Sequence, residues 1–257
     1  MMRLVAGLMV AALIAAPLPG RGAPPVPAVD REYAAGEVLT FDLAWLKVLG
    51  GKGTMKIAPV EGDASRFRIT SEVASNEGIS RFYRVRDFIE SIVARDTFST
   101  LRYEKRLRER KRVKDVVTIV DAARGIATRR GEEIAVPTPV YDPVSIIYYI
   151  RRLELTPGSS LAVKILSDRR VYDTEIVVLR RETVTVAAGT FRTIVVEPRL
   201  GKPAGEERNP EGQMQVWLSD DERRLPVRIR TQLRTGVITA SLRSVGSSGT
   251  GGVSNLK

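Results

Sequence analysis

Neither cysteine nor histidine occurs anywhere in this chain. Without them no Ser-His-Asp or Cys-His constellation can be assembled, and no HExxH zinc site. The absence of cysteine also removes disulfides and the acylated cysteine of a lipoprotein. Catalysis would have to come from carboxylates, lysine, tyrosine or a bound ion. A non-enzymatic role is therefore expected, with no cofactor and no metal. Long apolar runs are scarce as well. The one such stretch, Leu4 to Ala16, follows Arg3 and precedes small residues and prolines. That is the order of a secretory signal peptide, and the run is too short for a comfortable membrane span. An uncleaved anchor is the alternative.

A leader over 1–23 is expected, followed by an extended spacer over 24–32 that holds Pro24, Pro25 and Pro27. No transmembrane segment is expected in the mature chain. About 220 residues then remain, enough to bury roughly 70% of the surface an unfolded chain exposes. The formal charge is +11, and removing Arg3 and Arg21 with the leader leaves 11 − 2 = +9. Such a balance favours anionic partners. For an exported chain these are lipid head groups or envelope polymers before nucleic acid.

What is present is mostly strand pattern. FDLAWL places Phe41, Leu43 and Trp45 at period two, and GTMKI does the same with Met55 and Ile57. Between them KVLGGKG lacks the GxxxxGK[ST] spacing of a phosphate loop and is expected to be a tight hairpin connection. FRITSEV continues the series, SNEGISRFY suits a short helical turn, and VRDFIESIV returns to strand. Eight lysines and arginines crowd Arg102 to Lys114 against two glutamates. Leu101, Tyr103 and Leu107 alternate at even separations, and Val116, Val117, Ile119 and Val120 favour strand. Two strands meeting near Glu109 to Lys111 are expected, with the cations on a solvated face or an anion-contacting surface.

One helix is expected, over 142–154. Asp142 can accept from the first turn's amides, Pro143 suits the first helical position, and Arg151 and Arg152 favour the C-terminal end. Strands then resume to Val245, with a turn at AAG after Val186 and a long polar loop from Leu200 to Gly212. The composition from Gly246 onward is that of a tail. The expected architecture is mainly β: a single domain over 33–245, built as curved antiparallel sheets or an open barrel of about ten to thirteen strands. Two similar halves joined near 136–156 would also fit.

WLSDDERRLPVRI, from Trp217 to Ile229, raises the sharpest chemical question: are Asp220 and Asp221 an acid/base pair or a hairpin bend? Alternating strand patterns run up to the acids from both sides, and aspartate suits such turns. Neighbouring arginines would keep both carboxylates ionised, whereas a general acid needs one pKa raised. A turn is expected. On the adjoining strand Arg228, Arg230 and Arg234 project opposite the apolar residues, with Trp217 nearby. Guanidinium groups grip phosphate or carboxylate with two bonds, so these four residues are the expected site for an anionic ligand.

These landmarks, in their order and spacing, resemble a bacterial exported family of unknown function, family 3108. The resemblance runs from about Tyr33 to Val245. It rests on FDLAWLKVLGGKGTMKI, FYRVRDFIESIV, DPVSIIYYIR, ETVTVAAGTFRTIVVEP, VWLSDDERRLPVRI and GVITASL. It implies a periplasmic, mostly β protein, and it supplies no catalytic residues. The expected function is a non-catalytic envelope protein that binds a lipid or another anionic envelope ligand. A structural or assembly factor contacting other envelope proteins is the alternative. More remote is a glycan hydrolase using two carboxylates, drawn from residues such as Asp42, Asp87, Glu90 and Asp220.

Overall fold

The computed structural model describes residues 36–200, 213–233 and 236–247. The expected leader and spacer, most of the polar loop after Leu200, Arg234 and the end of the tail lie outside these residues. Eight strands form the first part: β1 (Glu37–Trp45), β2 (Val48–Val60), β3 (Asp63–Ser75), β4 (Arg86–Ala94), β5 (Thr100–Glu109), β6 (Arg112–Asp121), β7 (Ile126–Arg129) and β8 (Glu132–Ala135). The helical turn α1 (Glu77–Ser80) lies between β3 and β4. After the helix α2 (Ser145–Arg151) come β9 (Ser160–Ser167), β10 (Arg170–Val186) and β11 (Gly189–Leu200). The last three are β12 (Gln213–Ser219), β13 (Pro226–Leu233) and β14 (Gly236–Ser247).

All fourteen strands belong to one antiparallel sheet, ordered β8-β7-β6-β5-β4-β3-β2-β1-β14-β13-β12-β11-β10-β9. The mainly β expectation holds, with slightly more strands than ten to thirteen. The additional pair is β7 and β8, whose sequences IATR and EEIA carry no apolar alternation. Each meander is made of sequential hairpins, and the two meet where β1 pairs with β14.

Period-two burial builds the interior. On β1, Leu39, Phe41 and Leu43 are buried while Val38, Thr40 and Asp42 are only half-buried. Met55 and Ile57 of β2, Ile69 and Val73 of β3, and Ile89 and Val93 of β4 join the same cluster, as do Ile194, Val216 and Ile229 of the second meander. The helix α2 fills the centre. Six of its seven residues are buried, which fits a helix apolar all round and surrounded by sheet. Each fully buried side chain such as Ile146 or Ile150 contributes about 1.5–3 kcal/mol.

The helix is shorter than 142–154. Residues 142–144 form a turn instead of helix, and Arg152 donates its N–H to the carbonyls of Tyr149 and Ile150 in a tightened last turn. Asp142 still caps it: Oδ1 accepts from the amides of Val144 (2.8 Å) and Ser145 (3.0 Å). Its Oδ2 accepts from the hydroxyls of Ser91 and of Thr100, the latter at 2.7 Å. A carboxylate with no exposure is thus satisfied by four donors, and it ties α2 to β4 and β5. A second buried tie is bidentate, from the Arg151 guanidinium to Glu37 at 2.7 and 2.9 Å.

Several local expectations are met and two are revised. The turn at Arg110–Lys111 joins β5 to β6, and Ala187–Ala188 joins β10 to β11. The β1–β2 turn, however, is Leu46–Lys47, both at positive φ (48° and 69°), and the glycines of KVLGGKG lie inside β2. Gly51 is needed there because a Cβ would meet the Ala74 carbonyl oxygen at 2.3 Å. The strand β14 continues to Ser247, past the expected boundary at Val245.

The sheet does not close strand to strand. Its gap is filled by the segment before α2. The Val140 carbonyl accepts from the Thr100 amide of β5 at 2.8 Å. On the other side, the Tyr141 amide donates to Lys164 O (2.9 Å), and Tyr141 O accepts from the Leu166 amide (2.7 Å) of β9. One residue pair thus spans the seam between the two meanders, and it brings the β9–β10 turn against the inner side of β5 to β7.

Candidate functional site

Three cations converge at that seam. Asp168, in the β9–β10 turn, accepts on Oδ1 from Lys105 Nζ of β5 at 2.7 Å and from Lys114 Nζ of β6 at 2.8 Å. Arg129 Nη1 of β7 lies 3.8 Å from the same oxygen. The positions follow from strand parity. Lys105 shares the inward face of β5 with Tyr103 and Leu107, while Arg106 and Arg108 point away. Next to the cluster, Arg169 pairs with Glu132 of β8.

The electrostatics are unbalanced. Three cations against one carboxylate leave 3 − 1 = +2. The Lys105 side chain is only 5% exposed, whereas Asp168 is 51% exposed and faces solvent. Burial pushes the Lys105 ammonium below its ordinary pKa; Asp168 opposes this, and Lys114 and Arg129 add to it. Burial would raise the Asp168 carboxyl, but Lys105 and Lys114 outweigh it and hold the group well below the carboxylate range. Arg129 Nη1 is enclosed and makes no hydrogen bond among the described residues. The Tyr103 hydroxyl is likewise enclosed without one, and the Lys105 ammonium lies 5.5 Å from its ring centroid. Enclosed donors of this kind normally have a partner. The arrangement is one in which a carboxylate oxygen stands where a ligand's oxyanion could be gripped.

The strand face chosen from sequence is placed differently. Trp217 is buried on β12 with Val184, Val195 and Val227 in a small cluster apart from the main core. Its indole N–H donates to Glu182. Arg228 stacks over that ring at 6.0 Å and donates to the Thr185 carbonyl at 3.2 Å. The Glu182 carboxyl is held below its usual range by bonds from Trp217 and Arg180, so this face already has a counter-ion. Arg230 is exposed. Arg234 lies outside the described residues, and the four are not shown together. Val227 leaves the Leu225 and Ile229 face because the register shifts between Trp217 and Leu218.

The SDDERR stretch is a turn. Asp221 Oδ1 accepts from Ser219 Oγ (2.6 Å) and from the amides of Arg223 and Arg224 (both 3.1 Å). Burial works against ionisation of Asp220, but bonds from Arg224 (2.8 Å) and Arg181 (2.9 Å) keep its carboxyl below the ordinary range. The other acids singled out also have separate partners. Asp42 pairs with Arg243, and Glu90 pairs with Arg102 and Arg68 on the face opposite Asp87. Asp87 is 4% exposed, accepts from the Arg108 amide at 2.7 Å, and leaves Oδ2 without a hydrogen bond. Burial, with Glu109 nearby, pushes its pKa up to about 7.

Between α2 and β11–β12 an apolar cavity of about 10 Å³ is lined by Ile146, Ile147, Ile150, Val196, Met214 and Leu218. That is room for about one water. Among the described residues no cluster of acids could hold a metal, and no helix is long and apolar enough to cross a membrane.

Among solved structures the fold is similar to a β-barrel-like protein of domain-of-unknown-function family DUF1849 from Brucella abortus. That likeness has a TM-score of 0.58 at 10% identity, over 83% of this chain and 98% of that one. A hypothetical protein from Chlamydia trachomatis matches at TM-score 0.38 and 7% identity, over 83% of this chain and 88% of that one. No curated protein matches the sequence. Residues 38–243 match the family described as "Protein of unknown function (DUF3108)", and the chain, with its barrel-like sheet around one helix, belongs to that family.

Proposed function

We propose that this is an exported, non-catalytic envelope protein that holds an anionic ligand at the seam between its two meanders. The observation that carries the reading is the convergence of Lys105, Lys114 and Arg129 on a single oxygen of Asp168. Burying an ammonium is expensive unless it is paired, and one half-exposed carboxylate does not neutralise three cations. A phosphate or carboxylate group arriving from solvent would complete the pairing. Export is supported by the order of Arg3, the apolar run to Ala16 and the prolines after it.

The cavity beside α2 is too small for a whole ligand. Pockets for drug-sized ligands usually measure about 300–1,000 Å³, and the cavity beside α2 has about 10 Å³. The anionic group itself, with the rest of the ligand outside, is the better fit. An assembly role through sheet edges has less support. The β8 edge is four residues long and bears Glu132 and Glu133, a charged edge that discourages pairing, and β9 is covered by Tyr141.

Titration calorimetry of the purified chain with inorganic phosphate and with glycerol phosphate tests the proposal. Saturable binding that weakens at least about tenfold in Lys105→Met and in Arg129→Gln is expected. Absence of binding to either anion, or equal binding by both variants, overturns it.

A further inference from the structure

One end of the barrel gathers the β1–β2 turn, the connection from β3 to β4 and the β5–β6 turn. The Asn76 amide donates to Gly50 O (2.9 Å), and Asn76 Nδ2 donates to Leu49 O (2.8 Å), which holds the α1 segment against the start of β2. The Arg110 amide donates to Arg84 O at 2.7 Å, which brings the β5–β6 turn alongside.

This end is both apolar and basic. Leu46 is 54% exposed, Val48 60%, Leu49 52%, and Phe82 82%. These are large apolar side chains in the β1–β2 turn, at the start of β2 and in the β3–β4 connection, and none of them contributes to the core. Interleaved with them are Lys47, Arg81, Arg84, Arg110 and Lys111, all exposed and without an ion pair among the described residues. The three loops carry a single acid, Glu77, giving 5 − 1 = +4. Leu46 and Lys47 occupy positive φ, where Asn-Gly would fit without strain.

We infer that this end docks onto an anionic lipid bilayer, with Phe82, Leu49 and Leu46 entering the boundary between head groups and acyl chains. Protein interfaces are depleted of charged residues at their centres, so a protein partner is a poorer match for five cations interleaved with apolar residues. At a bilayer the pattern fits: the aliphatic stems of Lys and Arg stay with the apolar side chains while their charged ends meet phosphate. Each cation close to an anionic surface raises affinity roughly fivefold, and burial of Phe82 adds at least about tenfold. The surface is separate from the Lys105 seam, and the two readings stand independently.

Flotation of the full chain with vesicles of phosphatidylglycerol and phosphatidylethanolamine, against vesicles of phosphatidylcholine alone, tests this. Binding only to the anionic vesicles, weakened by added salt, is expected. The double variant L49S/F82S and the triple variant K47Q/R81Q/R84Q should each lose at least about tenfold in affinity. Both changes fall on exposed side chains, and unchanged thermal unfolding confirms that the variants fold. Should a variant misfold, the comparison of vesicle compositions and of salt still decides. Equal binding to neutral vesicles, no binding at all, or full binding by both tip variants overturns the inference.

Discussion

Lys105 Nζ and Asp168 Oδ1 stand 2.7 Å apart although 63 residues separate them along the chain. The contact fastens the inner face of β5 to the β9–β10 turn, and Asp168 is the anion that Lys114 and Arg129 share. Asp168→Asn leaves three cations facing one another. Denaturant unfolding at low salt should show a loss of about 1 kcal/mol, kept small because water screens a half-exposed carboxylate. Added phosphate should recover more stability in this variant than in the parent. The carboxyl is depressed in the fold. Its stabilisation is therefore complete above the unfolded value of 3.8 and fades as pH falls below it, a branch the variant should lack.

Asp87 has the opposite sign. Its folded pKa of about 7 lies above the unfolded value of 3.8, so between these values the folded state binds more protons. Stability should then decline as pH rises from about 4 to about 7 and level off above that. Asp87→Asn keeps the acceptor for the Arg108 amide and removes the charge. Its unfolding free energy should be nearly flat across that window and about 1–3 kcal/mol higher than the parent's at pH 8. A parallel decline in both proteins would show that Asp87 is not its source.

Glu37 and Arg151 form a bidentate pair with side-chain exposures of 6% and 2%. Arg151→Met strands a buried carboxylate and should cost about 3–5 kcal/mol. The double variant E37M/R151M should regain most of that loss, because two apolar side chains leave no buried charge. A double variant as unstable as Arg151→Met would assign the cost to packing against Tyr148 instead.

Asp221 accepts three bonds within its own turn. Asp221→Ala should lower stability by about 1–2 kcal/mol, the usual effect of losing a side-chain cap on backbone amides. Thermal unfolding measures it. Anion binding at the seam should be unchanged, because the turn and the seam share no residue.

What could be read beforehand was local. Alternation in FDLAWL and FRITSEV, the charged bend at Arg110–Lys111, and the Asp142 cap each depend on neighbours a few residues away. β7 and β8 were invisible because four-residue strands without apolar alternation resemble loop. Val227 departs from the strand parity of Leu225 and Ile229 because a register shift overrides it. Lys105 lay in the parity of Tyr103 and Leu107, which marked it as inward-facing. Its partner Asp168 was not legible, since the curl that joins them is set by long-range pairing. Arg228 lies over the Trp217 ring, and Glu182, thirty-five residues away from Trp217, supplies the charge balance of that face.

The pairing of β1 with β14 has a further consequence. Asp42 and Arg243 meet across that pair from positions 201 residues apart, so the first and last of the described strands along the chain are neighbours in the sheet. Until the final strand is available, β1 presents bare amides and carbonyls, an edge open to wrong partners. Maturation of this molecule therefore waits on its C-terminal hairpin, and a truncation there would leave a sticky intermediate instead of a smaller version of the same barrel.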